Sequence, residues 1–327
     1  MRRREFIAGL SGALASPLTT RAQQSAMPVI GFLNAASPQS YARPLAAFLK
    51  VLEAAGYTDG RNVTIQFRWA EGHNDRLPAM AAELLHNHVN VLAATTTPAA
   101  LAAKAATSTI PIVFESGGDP IKLGLVASFN RPGGNVTGAA SLGAVVIAAK
   151  GLELLHELIP AARIMGLLVN PTNPLIAETQ ERELSSTAHA LGLEIYILKA
   201  STERDFDGVF AKLVELRGAG LVISADAYFT SQSQQLAALA VRHAIPAVHA
   251  RREFPAAGGL ASYGTDIAES YRLAGIYTGR VLKGDKPADL PVQQATKVEL
   301  VINLQAAKAL GVSVPLPILG RADEVIE

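Results

Sequence analysis

The residues best placed for chemistry stand where short apolar runs stop. Ile110 to Phe114 ends in Glu115-Ser116-Gly117-Gly118-Asp119-Pro120. Similar polar stops are Asn34-Ala35-Ala36-Ser37-Pro38, Thr95-Thr96-Thr97-Pro98, Asn170-Pro171-Thr172-Asn173, Asp226-Ala227-Tyr228-Phe229 and the stretch from His249 to Phe254. A β-branched run ending in glycines and polar groups reads as a buried strand that presents its C-terminal loop to a crevice. In open α/β sheets that crevice is where ligands bind. A threonine ahead of Pro98 caps a helix whose first N–H groups can hold a carboxylate. Acidic groups facing such donors suit a ligand carrying both an ammonium and a carboxylate. The candidate contacts are Ser37, Thr96, Thr97, Pro98, Ser116, Asp119, Asn170, Asn173, Asp226, Tyr228 and Tyr263. Asp119 or Asp226 would pair with the ammonium, Thr97 and the N–H groups behind it would take the carboxylate, and Tyr228 or Phe229 would cover an apolar part.

Each candidate also has a plainer role. Thr97 and Asn173 could be helix caps alone, and Asp119 before Pro120 could form an Asx-turn. Tyr228 and Phe229 could be packing between lobes, and Tyr263 packing at a crossover. Convergence of six such loops on one crevice is what favours a binding site.

Catalytic signatures fail on inspection. Gly279 and Gly284 have P-loop spacing, but Asp285 stands where a phosphate-binding lysine belongs. His156-Glu157 opens like a zinc-peptidase helix, but Pro160 takes the second histidine position. No G-x-S-x-G elbow is present, and no G-x-G-x-x-G follows Val29–Leu33. His86 and His88 are two apart and diverge on a helix. A non-enzymatic chain without a cofactor is expected.

The elements that must position these loops alternate along the chain. Extended runs fall at Val29–Leu33, Val63–Trp69, Val89–Ala94, Ile110–Phe114, Ile164–Val169, Leu193–Leu198, Leu221–Ser224, Ala247–His249 and Leu260–Tyr263. Helical periods lie between them, as in Leu152, Leu155 and Leu158, which share one face. Such alternation implies parallel sheets covered by helices. It breaks near Arg131–Ser141, where glycines and Pro132 interrupt it, and restarts near Lys150. Two doubly wound lobes are expected, with crossovers near 138–142 and near Gly258–Tyr263. Val298–Asn303 is a third crossing or a last strand. The N-terminal lobe would comprise 27–138 plus 264–290, and the C-terminal lobe 139–263 plus 291–327.

The 327 residues suffice for two domains, and 49% hydrophobic with 17% charged residues fits a packed globular protein. Cysteine is absent, which excludes disulfides and thiolate metal sites. No apolar run past the N-terminus reaches the ~20 residues that span a bilayer, so no stable membrane insertion is expected. Arg2-Arg3-Arg4, the mildly apolar Ile7 to Leu18 and Thr20-Arg21-Ala22 read as an export signal over 1–22, cleaved near Ala22. Arg3-Arg4-Glu5-Phe6-Ile7 resembles the twin-arginine type, which places the mature protein in the periplasm. Its loss leaves a slightly acidic chain without a basic run, so nucleic acid is not an expected partner.

Several longer stretches resemble ABC-transporter substrate-binding proteins of the tryptophan/tyrosine-binding type. They are IPIVFESGGDPIKLGLVASFNRPGGNVTG from Ile110, Lys150 to Leu155, Val169 to Pro174, Phe254 to Leu260, Leu282 to Pro291 and Lys297 to Leu304. The resemblance implies a type I periplasmic-binding fold, with two α/β lobes, a three-crossing hinge and a small-molecule ligand enclosed by closure. It implies partnership with a permease and a separate ATPase; a monomer is expected. It carries Thr96, Thr97, Pro98, Asp119, Asn170, Asn173 and Asp226 into the cleft. The first loop departs from the family's His-Pro pair, having Ser37-Pro38. A module that reports its closed form to a membrane sensor is the alternative to an importer's receptor.

Overall fold

The computed structural model describes residues 27–141, 144–217 and 220–327. The export signal over 1–22 and the end of the crossing expected near 138–142, from residue 142 on, lie outside the described residues. The chain opens with β1 (Val29–Asn34), α1 (Ala42–Ala54), β2 (Thr64–Trp69), α2 (Leu77–His86), β3 (Val91–Thr95), α3 (Thr97–Ala106), β4 (Ile112–Ser116) and β5 (Val136–Ser141). There follow α4 (Ala144–Leu158), β6 (Ile164–Val169), α5 (Pro174–Ala190), β7 (Glu194–Lys199), α6 (Asp205–Glu215) and β8 (Gly220–Ile223). Next come α7 (Ala227–Ser231), α8 (Ser233–Arg242), β9 (Ala247–His249), α9 (Glu253–Ala256) and β10 (Ala261–Thr265). The last elements are α10 (Ile267–Leu282), β11 (Gln293–Ala295), β12 (Val298–Asn303), α11 (Leu304–Ala309), α12 (Leu316–Leu319) and β13 (Glu324–Ile326).

These strands form two sheets, ordered β11-β5-β4-β3-β1-β2 and β13-β12-β10-β9-β8-β6-β7. The first is wholly parallel. In the second, β12 alone runs antiparallel to its neighbour β10, because the chain re-enters that sheet from the other lobe. Both sheets are buried on both faces, which is why their strands read as continuous apolar runs. In the first lobe Phe32, Ala93 and Val113 pack on Phe48 and Leu52 of α1 and on Tyr271 and Ala274 of α10. Leu33, Leu92 and Phe114 point the other way, onto Leu84 of α2 and Ala99 and Ala103 of α3. In the second lobe Leu152, Leu155 and Leu158 cover one face, as their spacing predicts, while Phe206 and Phe210 of α6 cover the other. The crossing of α1 and α10 is close enough that a Cβ on Gly275 would lie 2.7 Å from the Phe48 carbonyl oxygen, so only glycine fits there.

The boundaries between the sheets differ from the expected ones. Ala139, Ala140 and Ser141 stay in the first sheet, paired with β11. Gly264 and Thr265 stay in the second, paired with β12. The second crossing is thus at Asp266, beyond Gly258–Tyr263, and the third is at Thr296-Lys297, just ahead of β12. β11 belongs to the first lobe and carries its sheet past Pro291. Arg43 of α1 grips Asp266 through two bonds of 3.0 and 3.1 Å, which fixes α1 against the second crossing.

Candidate functional site

The recess that draws its walls from the strand ends of both sheets lies between the lobes. Tyr41, Thr96, Thr97, Pro98, Glu115 and Gly117 line it from the first lobe, and Asn173, Ile176, Ala225, Ala227 and Arg251 from the second. A larger groove near Tyr263, formed with Leu154, Val298 and Leu300, opens elsewhere and shares no residue with it.

On the first wall, Thr96 caps α3 in extended conformation, its hydroxyl accepting the Ala99 N–H at 3.4 Å, with Pro98 in the first turn. The Thr97 hydroxyl lies 2.9 Å from that of Ser116, which accepts the Gly118 N–H at 3.1 Å. Ser116 is fully buried and holds the wall from behind. Glu115 is only 4% exposed, and its carboxylate accepts one bond from the Ser141 hydroxyl at 3.3 Å. Burial pushes its carboxyl up to about 7, against the opposing pull of the Arg251 charge and the Ser141 bond. The buried Tyr41 hydroxyl is likewise pushed up by desolvation, with Arg251 working against it.

On the second wall, Arg251 sends Nη1 to the Thr265 carbonyl at 3.0 Å, at the end of β10. Its backbone N–H donates to His249 Nδ1 at 2.9 Å. Burial and the neighbouring Arg251 charge push His249 down to about 3, so its ring is neutral. Neither Glu115 nor Arg251 has an ion-pair partner among the described residues. An acid and a base therefore face one pocket from opposite lobes without neutralising each other.

The carboxylate of Asp226 is not presented to the pocket as the sequence suggested. It is 3% exposed and fully engaged inside its own lobe: Asn170 Nδ2 and Asn173 Nδ2 each donate at 2.9 Å, and the Tyr228 N–H at 3.0 Å. It caps α7 and sets the pose of Asn173, which does reach the pocket. Asn170 serves the same network and also accepts from the Thr172 N–H at 3.0 Å. Asp119 is exposed, and its carboxylate caps the turn that follows by accepting from the Ile121 and Lys122 N–H groups at 2.9 and 3.2 Å. It does not line the recess, and its Asx-turn role is the one realised. Tyr228 stacks on Phe206 and Phe229 meets it at a tilt, in the core of the second lobe. Tyr263 packs against the other core of that lobe; it does not line the recess but borders a small cavity that shares Ala225 with it.

Ser37 sits at the rim, in a clasp between lobes. Its N–H donates to the Ser231 hydroxyl at 3.4 Å, and Ser40 meets the same hydroxyl at 2.9 Å. Asn74 to Thr172, at 3.3 Å, closes another side of the rim. The sequence thus brought Thr96, Thr97, Pro98 and Asn173 to the pocket and missed Glu115, Arg251, Tyr41 and Ile176. Glu115 carried a usable signal, since a glutamate abutting an all-apolar buried strand is costly unless it serves a site.

Two largely parallel sheets, three crossings and a polar recess at facing strand ends define a type I periplasmic-binding protein. The ABC transporter substrate binding protein family matches residues 30–326, and the chain belongs to that family. The chain is 30% identical over 263 residues to a tyrosine-binding protein of Clostridioides difficile, covering 80% of this chain and 75% of that one. It superposes on the ABC domain in complex with L-Trp from Streptococcus pneumonia with a TM-score of 0.82, at 27% identity over 91% of this chain and 99% of that one. Against the ligand-free, open structure of a substrate binding protein with adhesive properties from Clostridium difficile, the TM-score is 0.63, at 26% identity and the same coverage.

Proposed function

We propose that the protein is the periplasmic solute receptor of an ABC importer and that it captures a zwitterionic, amino-acid-like ligand between its lobes. The observation that carries this reading is the placement of Glu115 and Arg251 on opposite walls of one pocket, neither of them in an ion pair among the described residues. The ligand ammonium meets Glu115, and its carboxylate meets Arg251 and Thr97 at the start of α3. Each lobe thereby holds one end of the ligand, and closure completes the contacts. Binding selects the closed form because only that form offers both charges at once. No bond is made or broken. The closed form then docks on the permease, whose ATPase drives import, and the leader over 1–22 delivers the receptor to the periplasm.

Calorimetric titration of the mature protein with the common α-amino acids tests the charge assignment. Arg251→Met and Glu115→Gln should each weaken binding about 10- to 100-fold, the range of a lost charge-assisted hydrogen bond. Arg251→Met should discriminate least against the corresponding amine that lacks the carboxylate. Wild-type affinity in both variants would sink the reading.

A further inference from the structure

Tyr41 is the one aromatic residue among those described on the wall of the recess, and its hydroxyl has no hydrogen-bond partner among the described residues. The residue is only 4% exposed, and a buried hydroxyl left unpaired is costly enough that native structures rarely keep one without a use. Its backbone, by contrast, is engaged at the start of α1. The N–H donates to the Ser37 carbonyl at 3.3 Å, and the carbonyl accepts from the Leu45 N–H at 2.9 Å. The residue is held in place from three sides. Ser40, just before it, meets the Ser231 hydroxyl of the second lobe at 2.9 Å, and Arg43, two residues on, grips Asp266. The ring of Tyr271 lies 5.9 Å away at a tilt. That tyrosine's own hydroxyl is committed, donating to the Thr95 carbonyl at 2.6 Å and accepting from Asn34 at 2.7 Å. The charges of Arg251 and Glu115 bear on the Tyr41 hydroxyl, Arg251 the more strongly, yet neither side chain hydrogen-bonds it.

Resting on the amino-acid reading above, we infer that the Tyr41 hydroxyl is a ligand contact, donating to the same carboxylate that Arg251 takes. Burial keeps the phenol un-ionised and therefore able to donate. Of the two ends of a zwitterion the carboxylate suits it, because that group only accepts and a hydroxyl-to-carboxylate bond is among the strong ones. The ammonium only donates, and Glu115 serves it. Tyr41 belongs to the first lobe and Arg251 to the second, so one carboxylate between them ties the lobes together. A donor fixed before binding also loses little freedom when the ligand arrives.

The test is calorimetric titration of wild type and Tyr41→Phe with the common α-amino acids, L-tyrosine and L-tryptophan among them, and with the carboxamide of the tightest binder. Thermal melts without ligand accompany it. The substitution keeps the ring against Tyr271 and removes only the hydroxyl. Affinity for the amino acid should fall about 10- to 100-fold, the range of a lost hydrogen bond to a charged group. The carboxamide, which lacks that charge, should lose no more than about threefold, and the ligand-free variant should melt no lower than wild type. Unchanged affinity for the amino acid overturns the assignment. An equal loss for amino acid and carboxamide overturns it too, by placing the hydroxyl elsewhere on the ligand. So does a lower melting point without ligand, since the hydroxyl then serves the fold. No heat from any amino acid with wild type overturns the amino-acid reading itself, and the assignment falls with it.

Discussion

Gly72 and Tyr228 meet across the cleft so closely that a Cβ on Gly72 would lie 2.5 Å from the tyrosine ring. Gly72 follows β2 in the first lobe and has φ +86°, while Tyr228 belongs to α7 in the second. Both the backbone angle and the contact call for glycine, but only the contact depends on the lobes being together.

Gly72→Ala should therefore penalise the closed form more than the open one. The crowding costs about 1–3 kcal/mol when the lobes shut, which corresponds to roughly a 5- to 100-fold loss of affinity. Small-angle scattering at saturating ligand should show a larger radius of gyration than wild type. Equal radii and equal affinity would mean that this contact does not gate closure.

The pH response follows from two buried groups with opposite signs. Glu115 is raised to about 7 from 4.5, so the folded ligand-free protein binds that proton more tightly than the unfolded chain, and stability falls as pH rises from 4.5 to 7. His249 is lowered to about 3 from 6.5, so its contribution is lost as pH falls from 6.5 toward 3. Between pH 4.5 and 6.5 the two slopes oppose each other. Glu115→Gln should unmask the histidine, giving a steeper loss of stability toward acid in urea titrations at stepped pH. Ligand affinity should weaken by up to about tenfold per unit below pH 7 in wild type, because an ammonium needs Glu115 ionised. That dependence should vanish in the variant.

Asp226→Asn is expected to cost about 1–3 kcal/mol in denaturant unfolding, although its shape is unchanged. Asn170 and Asn173 each aim an N–H at one carboxylate oxygen, and an amide in that place turns one acceptor into a donor. Binding should weaken as well, because Asn173 loses the bond that holds it at the pocket. A variant as stable as wild type would show that the network is dispensable.

Asp119→Ala should leave ligand affinity unchanged and cost about 1 kcal/mol or less of stability, since it removes only a turn cap on an exposed loop. A loss of affinity would return that carboxylate to the binding surface.

The architecture was legible because its strands are short, apolar on both faces and stopped by glycine or proline. Even the leucines at 152, 155 and 158 announced their face. Gln293-Gln294-Ala295 was not legible: a three-residue polar edge strand has no pattern of its own and is defined by its pairing with β5. In the pocket, the threonines ahead of α3 could be read because capping is local. The choice among acids could not be. Asp119 and Asp226 stand in loops and look available, yet one satisfies its own turn and the other answers asparagines more than fifty positions away. Glu115 looks like a strand residue, and only the approach of Arg251 from the other lobe gives it a partner chemistry.

The side chain of Asn34, at the end of β1, donates to the hydroxyl of Tyr271 at 2.7 Å, across 237 positions of chain. The Thr137 hydroxyl reaches the Leu290 carbonyl across another 153. The lobe begun first is thus finished last. During synthesis the side of α1 that carries Val51 and Ala55 waits until Gly275 and Gly279 of α10 have been made. Contacts so distant in sequence make for slow folding. A chain truncated before residue 267 would lack α10 and keep that side of α1 exposed for good.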